Sequence, residues 1–184
     1  MQERKILTTP LSDEVIRELK AGEMAYISGV VYTARDAAHK KMYDLLDGGK
    51  PMPFDFTGAA VYYAGPCPAK PGKPIGSIGP TTSGRMDLYA PKLMDQGLKV
   101  MIGKGLRNKE VIDSIVKHGG IYFAAIGGAA ALMGKSVESA EVIAFDDLGT
   151  EAVRRLVVKE LPVIVAIDSR GNNMYDEGRK KYQI

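Results

Sequence analysis

The chain is poor in the side chains that hold transition metals, since its 184 residues include one cysteine, Cys67, and two histidines, His39 and His118. A single cysteine excludes an intrachain disulfide, and it excludes a zinc or iron–sulfur site built from thiolates of this chain alone. Cys67 has no base beside it in the sequence to activate it as a nucleophile, so we interpret it as a structural loop residue. Any transition metal is therefore expected on a partner, and no metal ligand is predicted here.

Long hydrophobic runs and a strong charge imbalance are also absent. No apolar stretch approaches the ~18 residues of a membrane span, and residues 1–5 lack the apolar core of a signal peptide. The net charge of +3 is too small to indicate nucleic-acid binding. These features predict a cytoplasmic protein with neither a membrane nor a nucleic-acid partner, and the length predicts one domain over residues 1–184.

Periodicity and capping residues predict an α/β fold. The first part is β-rich, with helices at residues 12–20 and 36–46 around a strand at 23–33. From Gly84 onward strands and helices alternate, which predicts a mostly parallel C-terminal sheet flanked by helices. The elements predicted there are helices at 85–96, 109–118, 129–133 and 146–156, and strands at 98–102, 121–126, 141–145 and 163–167.

Residues 64–80 have an unusual composition, with five of the chain's ten prolines and four glycines. Such a density excludes regular structure. Loops longer than ~12 residues inside a compact domain are usually functional or disordered. Because strands are predicted on both sides, at 59–63 and 75–78, we expect an ordered functional loop.

The first candidate for chemistry is Gly79-Pro80-Thr81-Thr82-Ser83-Gly84-Arg85, called here the 79–85 segment. It is a glycine-bounded turn with three consecutive hydroxyls, and it is predicted to open onto a helix. A helix N-terminus presents unpaired N–H groups and a partial positive charge that suit a carboxylate or phosphate. The alternative is an ordinary helix cap, because Thr and Ser dominate those positions.

Two further cationic positions follow predicted strands. Arg35 and His39 are four residues apart around Asp36, so they share a helix face, and a guanidinium there could bind a carboxylate with two hydrogen bonds. Lys104 lies between Gly103 and Gly105, directly after a strand, where ligands of parallel α/β sheets bind. The alternatives are an exposed helix surface for the first group and a surface turn for Lys104.

A resemblance to a phosphate-binding P-loop fails on spacing. Gly134-Lys135-Ser136 has a glycine upstream at Gly128, but the P-loop requires it one residue later, at Ala129. The geometry of that loop depends on its length, so nucleotide hydrolysis is not predicted.

Several sequence words occur together in an order that carries a family resemblance. They are Thr33-Ala34-Arg35-Asp36-Ala37-Ala38-His39-Lys40, Tyr62-Tyr63-Ala64-Gly65-Pro66, Gly79-Pro80-Thr81-Thr82-Ser83-Gly84-Arg85-Met86-Asp87 and Lys104-Gly105. The chain resembles the β subunit, or C-terminal domain, of class I iron–sulfur fumarases and the related L-tartrate dehydratases. The resemblance covers nearly the whole chain, from Ile6 to Asn172.

The resemblance implies a swivelling β/β/α domain and the reversible hydration of fumarate to (S)-malate. It implies a [4Fe–4S] cluster held by three cysteines of an α subunit, with which this chain would form a heterotetramer. Arg35, Arg85 and Lys104 match the cationic groups that grip the dicarboxylate. Thr81 matches the hydroxyl proposed as base, with Thr82 beside it, and its activation would come from an acidic residue of the other subunit.

Three functions stay open at this stage. Residues 83–87 and 118–123 resemble the corresponding segments of fumarases, which favours a fumarase over the second candidate, an L-tartrate dehydratase β subunit. The third candidate is a non-catalytic anion-binding module, which pattern alone does not exclude.

Overall fold

The structure, a computed structural model, describes residues 5–126 and 128–183. The expectation that residues 1–5 lack the apolar core of a signal peptide therefore falls mostly outside the described residues. Within them, the chain forms a mixed α/β fold with one seven-stranded sheet. The strands are β1 (Lys5–Thr9), β2 (Met24–Thr33), β3 (Ala60–Tyr62), β4 (Val100–Gly103), β5 (Ile121–Ala125), β6 (Val137–Ala144) and β7 (Val153–Ile167). The α-helices are α1 (Asp13–Glu18), α2 (Asp36–Asp47), α3 (Ala90–Asp95), α4 (Lys109–His118), α5 (Ala130–Lys135) and α6 (Met174–Tyr182).

The sheet combines a parallel part with an antiparallel part. Strands β1 to β5 pair in parallel in sequence order, and β7 then pairs antiparallel with β5, β6 and β2. Because β7 hydrogen-bonds to both β5 and β2, the sheet returns on itself. This closure brings the residues before β7 next to the end of β2.

Two hydrophobic clusters lie on the two faces of the sheet. Successive strand residues point to opposite faces, and accordingly Tyr62 and Ile102 belong to one cluster, whereas Val61 and Met101 belong to the other. The second cluster is covered by α2, α3 and α4. The central strands β3 and β4 are therefore buried on both sides, and only their ends are open to a ligand.

Local capping explains why some helices follow the sequence so closely. Helix α4 spans the predicted residues: the side chain of Asn108 accepts a hydrogen bond from the Val111 N–H (2.9 Å), and Gly119 ends the helix with φ of 63°. Both are common helix signals. None of the helices among the described residues combines the length and the apolar surface that crossing a membrane requires.

The prediction of a mostly parallel C-terminal sheet is wrong for β6 and β7. The alternation of strands and helices predicts a helix at residues 146–156. They form instead the 3₁₀ segment Asp146–Glu151, in which Gly149 has φ of 58° and ψ of −113°. Helical hydrogen bonding cannot continue through that conformation, so the chain enters β7 at Val153.

The loop at 64–80 is held largely by hydrogen bonds between its own residues. The Cys67 N–H donates to the Ser77 carbonyl (2.9 Å), and the Gly76 N–H donates to the Cys67 carbonyl (3.0 Å). The expected strand at 75–78 is therefore wrong, since Gly76 and Ser77 pair with Cys67 within the loop and the Ile78 N–H donates to the Ala130 carbonyl (3.0 Å). The prediction of an irregular loop is confirmed, with only an isolated bridge between Ala64 and Pro80.

Candidate functional site: a cationic cluster at the strand ends

Three parallel strands end at one edge of the sheet, and the predicted site residues gather there. Strand β2 ends two residues before Arg35, and β4 ends immediately before Lys104. Between them, the Thr81 N–H donates to the carbonyl of Tyr63, just after β3 (2.7 Å), and the Lys104 N–H donates to the Thr81 carbonyl (3.3 Å). The 79–85 segment is thus tied by its backbone to the ends of β3 and β4.

The 79–85 segment does not open onto a long helix, which corrects the expected helix at 85–96. The Ser83 N–H donates to the Lys104 carbonyl (2.8 Å), and Thr82 and Lys104 form an isolated bridge. A short 3₁₀ turn, Ser83–Met86, follows, and α3 begins only at Ala90, with a proline in its first turn. The site therefore depends on cationic side chains rather than on a helix dipole.

The two arginines lie close together through a shared carboxylate. Arg85 Nε is 2.5 Å from Asp36 Oδ1, and Arg35 Nη2 is 3.8 Å from Asp36 Oδ2. Arg35 Nη2 is also 3.4 Å from Glu151 Oε1, while Glu151 Oε2 accepts a hydrogen bond from the Ala37 N–H (3.0 Å). Asp36 thus links Arg35 to Arg85. The Arg85 backbone N–H donates to the Thr82 carbonyl (3.3 Å), and Thr81 and Thr82 pair with Lys104.

Gly65 allows the chain after β3 to approach this cluster. A Cβ atom at Gly65 would lie 2.8 Å from the Thr150 carbonyl oxygen and 3.2 Å from Arg35 Cδ. Any side chain there would push Arg35 or the loop before β7 away. This contact is a physical reason for glycine in the word Tyr62-Tyr63-Ala64-Gly65-Pro66.

Tyr122 holds the segments that carry Thr82 and Lys104 in register. Its hydroxyl lies 2.9 Å from both Ser83 Oγ and the Gly105 carbonyl oxygen. The Gly105 N–H in turn donates to the Tyr175 hydroxyl (3.2 Å). Burial raises the pKa of Tyr122, which keeps its hydroxyl protonated as a donor. Lys104 itself remains exposed beside these contacts.

A buried ion pair lies beneath the same segments. Arg107 Nε is 2.6 Å from Asp87 Oδ1, and Asp87 Oδ2 accepts a hydrogen bond from the Asn108 N–H (2.7 Å). The guanidinium also stacks near the rings of Tyr63 (5.3 Å) and Tyr122 (5.0 Å). The pair links the 3₁₀ turn after Thr82 to the loop after Lys104, so it fixes the floor of the site.

His39 is structural in this arrangement. Its ring is fully buried, and burial lowers its pKa to about 4, although the nearby Arg35 carbonyl acts in the opposite direction. Its Nδ1 lies 2.9 Å from that carbonyl oxygen, and the ring packs edge-on against Tyr63. A neutral imidazole in this position supports the end of β2 without facing a ligand.

The residues of this chain do not fit a metal cluster. Among the described residues, no group of three or more His, Cys, Asp and Glu side chains is arranged to hold a metal ion. Cys67 is exposed in the 64–80 loop, where its sulfur contacts Ser77 Oγ (3.3 Å). A [4Fe–4S] cluster would therefore need ligands from another chain.

The P-loop resemblance is excluded by structure as well as by spacing. Gly134 and Lys135 are the last two residues of α5. A phosphate-binding loop places its Gly-Lys pair at the start of a helix, where the N–H groups are free.

Sequence reasoning missed Glu151 and the Asp87–Arg107 pair. Glu151 contacts Ala37 across 114 positions of sequence, and no local pattern marks such a contact. The available signal was Asp36, which directly follows Arg35, although it was not assigned a role of its own.

Comparison with known proteins agrees with this geometry. The family described as "Fumarase C-terminus" matches residues 2–178. The chain belongs to this family.

Individual relatives fall into two groups by length. The chain is 40% identical over 177 residues to a chain from Methanocaldococcus jannaschii provisionally named L(+)-tartrate dehydratase subunit beta, covering 93% of the present chain and 91% of the relative. It is 39% identical over 153 residues to "Fumarate hydratase class I, anaerobic" of Escherichia coli, a match that covers 82% of the present chain and 28% of the relative. It is 38% identical over 170 residues to "Fumarate hydratase 2" of Leishmania major, a match that covers 90% of the present chain and 30% of the relative. The chain thus spans less than a third of the length of these two fumarate hydratases.

Proposed function

We propose that this chain is the β subunit of a two-subunit hydro-lyase that interconverts fumarate and (S)-malate. The observation that carries the proposal is that Arg35, Lys104 and Thr81 lie at the ends of neighbouring parallel strands, with Arg85 joined to Arg35 through Asp36. Three cations on one surface suit a small dianion better than a monoanion. The swivelling β/β/α type of domain is part of the proposal, and the mixed seven-stranded sheet supports it.

Each proposed role follows from what dehydration of malate requires. The reaction needs a grip on two carboxylates, a base for a C–H proton and polarisation of the leaving hydroxyl. Arg35, Arg85 and Lys104 supply the grip, with guanidinium groups suited to bind carboxylates in a plane. Thr81 takes the proton, with Thr82 beside it. Because a threonine hydroxyl is a poor base unaided, Thr81 requires activation by an acidic residue of the partner.

Polarisation of the leaving hydroxyl is assigned to the partner. We propose that a cluster-bearing α subunit would hold a [4Fe–4S] cluster, which would supply the Lewis-acid polarisation of the hydroxyl. The absence of a fitting ligand group among the described residues supports an assignment to another chain. The length relation supports it too, since the fumarate hydratase relatives are more than three times as long as the matched region. The proposal also places the assembled enzyme in the cytoplasm.

Reconstitution tests the proposal directly. The purified chain alone should not hydrate fumarate, because it lacks the polarising half of the site. Mixed anaerobically with the cluster-bearing α subunit from the same source, it should restore hydration, measured by the loss of fumarate absorbance. Malate formation by this chain alone after metal stripping would overturn the division of labour proposed here.

An L-tartrate dehydratase is the second candidate, and the M. jannaschii relative favours it because the two chains match over 91% of that relative's length. Tartrate adds a hydroxyl to the malate skeleton, so the two activities share the cationic grip. Turnover of malate and L-tartrate by the same assembled enzyme decides between them. Tight dicarboxylate binding by the lone chain, unchanged by the α subunit, would instead indicate an anion-binding module.

A further inference from the structure

The two proposed arginine grips are held by carboxylates of this chain. Asp36 contacts Arg85 through Nε (2.5 Å) and lies 3.8 Å from Arg35 Nη2. Glu151 lies 3.4 Å from the same Arg35 nitrogen. Asp36 therefore lies between both arginines, and Glu151, from the segment before β7, contacts Arg35 as well.

The geometry of the Arg85 contact leaves the binding end of its guanidinium free. The closest contact of Asp36 is with Nε, whereas the two terminal nitrogens carry four of the five N–H groups of a guanidinium. The Arg85 side chain is 53% exposed, whereas that of Asp36 is 26% exposed. A substrate carboxylate can therefore approach the terminal nitrogens from solvent while Asp36 stays in place behind them.

Both carboxylates are themselves fixed. Asp36 is the first residue of α2, and Glu151 Oε2 accepts a hydrogen bond from the next N–H of that helix, on Ala37 (3.0 Å). Helix α2 has no capping side chain of its own, so Glu151 serves as its cap from a distant loop. Asp36 and Glu151 are thus joined through the start of one helix.

The loop that carries Glu151 is held by Arg154. Its guanidinium donates to the carbonyls of Gly149 (2.8 Å), Thr150 (3.1 Å) and Ala152 (3.2 Å). Three backbone acceptors around one side chain restrict the loop on both sides of Glu151. The carboxylate is therefore presented to Arg35 from a rigid support.

We propose that Asp36 and Glu151 are positioning residues that orient Arg85 and Arg35 for the substrate dicarboxylate. This inference rests on the proposed function and assigns specificity to two acids that lie behind the grips. The opposite role would be a placeholder that occupies the arginines until substrate displaces it. A placeholder for Arg85 would take its terminal nitrogens, as the substrate does, whereas the closest contact of Asp36 is with Nε. Glu151 lies against the terminal Nη2 of Arg35, but its second carboxylate oxygen is held by the Ala37 N–H at the start of α2, which keeps it in place.

The two roles predict opposite signs for the same substitution. Asp36→Asn removes one negative charge next to two arginines, and charge alone would strengthen the binding of a dianion. Loss of orientation weakens binding instead, because displaced donors no longer meet both carboxylates. The direction of the change in KM therefore separates positioning from occupancy.

The kinetic test uses the assembled enzyme and matched controls. Asp36→Asn and Glu151→Gln should each raise KM for fumarate about tenfold, equivalent to about 1.4 kcal/mol, with a smaller change in kcat. Asp44→Asn on the same helix and Asp147→Asn in the same loop as Glu151 should leave KM unchanged, since these acids pair with Lys40 and Lys41 at the surface. An unchanged or lowered KM in Asp36→Asn would overturn the inference.

A second measurement needs no activity. In the complete, substrate-free chain, the Nε–H signal of Arg85, assigned by its loss in Arg85→Lys, should be protected from solvent exchange. Asp36→Asn should remove that protection, and Asp44→Asn should not; equal protection in both variants would refute the positioning contact. If the assembled wild-type enzyme fails to hydrate fumarate while the Arg85 signal behaves as stated, the proposed function fails and the positioning contact stands.

Discussion

At the scale of single residues, the two arginines of the site differ in how far solvent reaches them. The side chain of Arg35 is 24% exposed and anchored by two carboxylates, whereas that of Arg85 is 53% exposed and held through one nitrogen. Under the proposed function, Arg85 is therefore the arginine that solvent leaves more accessible to a substrate. Replacing it separates a functional grip from a merely structural ion pair.

Arg85→Ala is expected to lower kcat/KM of the assembled enzyme by about 10- to 100-fold or more. A hydrogen bond to a charged group contributes about 1.5–3 kcal/mol, and the loss grows if the grip tightens in the transition state. The control is Arg17→Ala, which removes a still more exposed arginine (63%) from α1 and should leave kcat/KM unchanged. A value near wild type for Arg85→Ala would remove this residue from the site.

His39 gives the protein a pH-dependent stability. Its pKa is lowered by burial to about 4, below the ordinary value of 6.5. Between these values the unfolded chain binds a proton that the folded chain does not, so stability falls as the pH drops through 6.5 toward 4.

Urea unfolding should show this loss. From pH 7 to pH 5, the contribution of His39 amounts to about 2 kcal/mol. His39→Gln cannot gain that charge, so its free energy of unfolding should fall less over the same interval, even though it is less stable than wild type at pH 7. Parallel pH profiles for the two proteins would show that His39 is not buried in its neutral form.

At the scale of elements, the candidate site depends on two chain segments that a buried ion pair joins. The chain after Thr82 and the chain after Lys104 share the buried ion pair of Asp87 and Arg107, whose side chains are 9% and 0% exposed. A charge left alone in such a place is costly, because neither water nor a partner compensates it.

Asp87→Asn should therefore lower the free energy of unfolding by about 3–5 kcal/mol, measured by chemical denaturation. Asp113→Asn is the matched control, since Asp113 pairs with Lys109 on the exposed side of α4 and should cost less than about 0.5 kcal/mol. Similar losses in the two variants would mean that water reaches the Asp87–Arg107 pair.

The segment before β7 gives a second prediction at this scale. Gly149 has φ of 58° and ψ of −113°, and an added Cβ there would meet no atom within 4 Å. Gly149→Ala should therefore destabilise the protein through backbone strain alone, by about 1–3 kcal/mol.

Gly178→Ala is the matched change, because Gly178 also faces open space but lies inside α6. Alanine favours a helix interior by about 0.5–1 kcal/mol, so this variant should be more stable than wild type. Thermal unfolding of the two variants should shift in opposite directions, and a shared direction would contradict the conformation given for Gly149.

At the scale of the whole molecule, the path of β7 decides which residues meet. Its 15 residues pair with β2, β5 and β6. The antiparallel pairing with β2 places the 3₁₀ segment Asp146–Glu151 beside the start of α2, where Glu151 reaches Arg35. The cationic surface that results is open, which suits a site completed by another chain.

The sequence by itself determined the family words and most of the local structure. Helix α4 follows from Asn108 and Gly119, and the positions of Arg35 and Lys104 follow from strands that end just before them. These features depend on neighbouring residues, so a local reading recovers them. One family motif, residues 79–87, also contains Thr81, Thr82 and Arg85, so the sequence alone indicates these three residues.

Only the tertiary structure decided how the arginines are oriented. The expected helix at 146–156 became a 3₁₀ turn and an antiparallel strand, because one backbone conformation at Gly149 ended it and pairing with β2 stabilised the strand. The contact of Glu151 with Arg35 and the burial of Arg107 under Thr82 and Lys104 follow from that long-range pairing and packing. Asp87 and Arg107 are 20 positions apart, and Ala37 and Glu151 are 114 apart. Contacts between such distant residues leave no periodic signal in the sequence, so they became visible only in the fold.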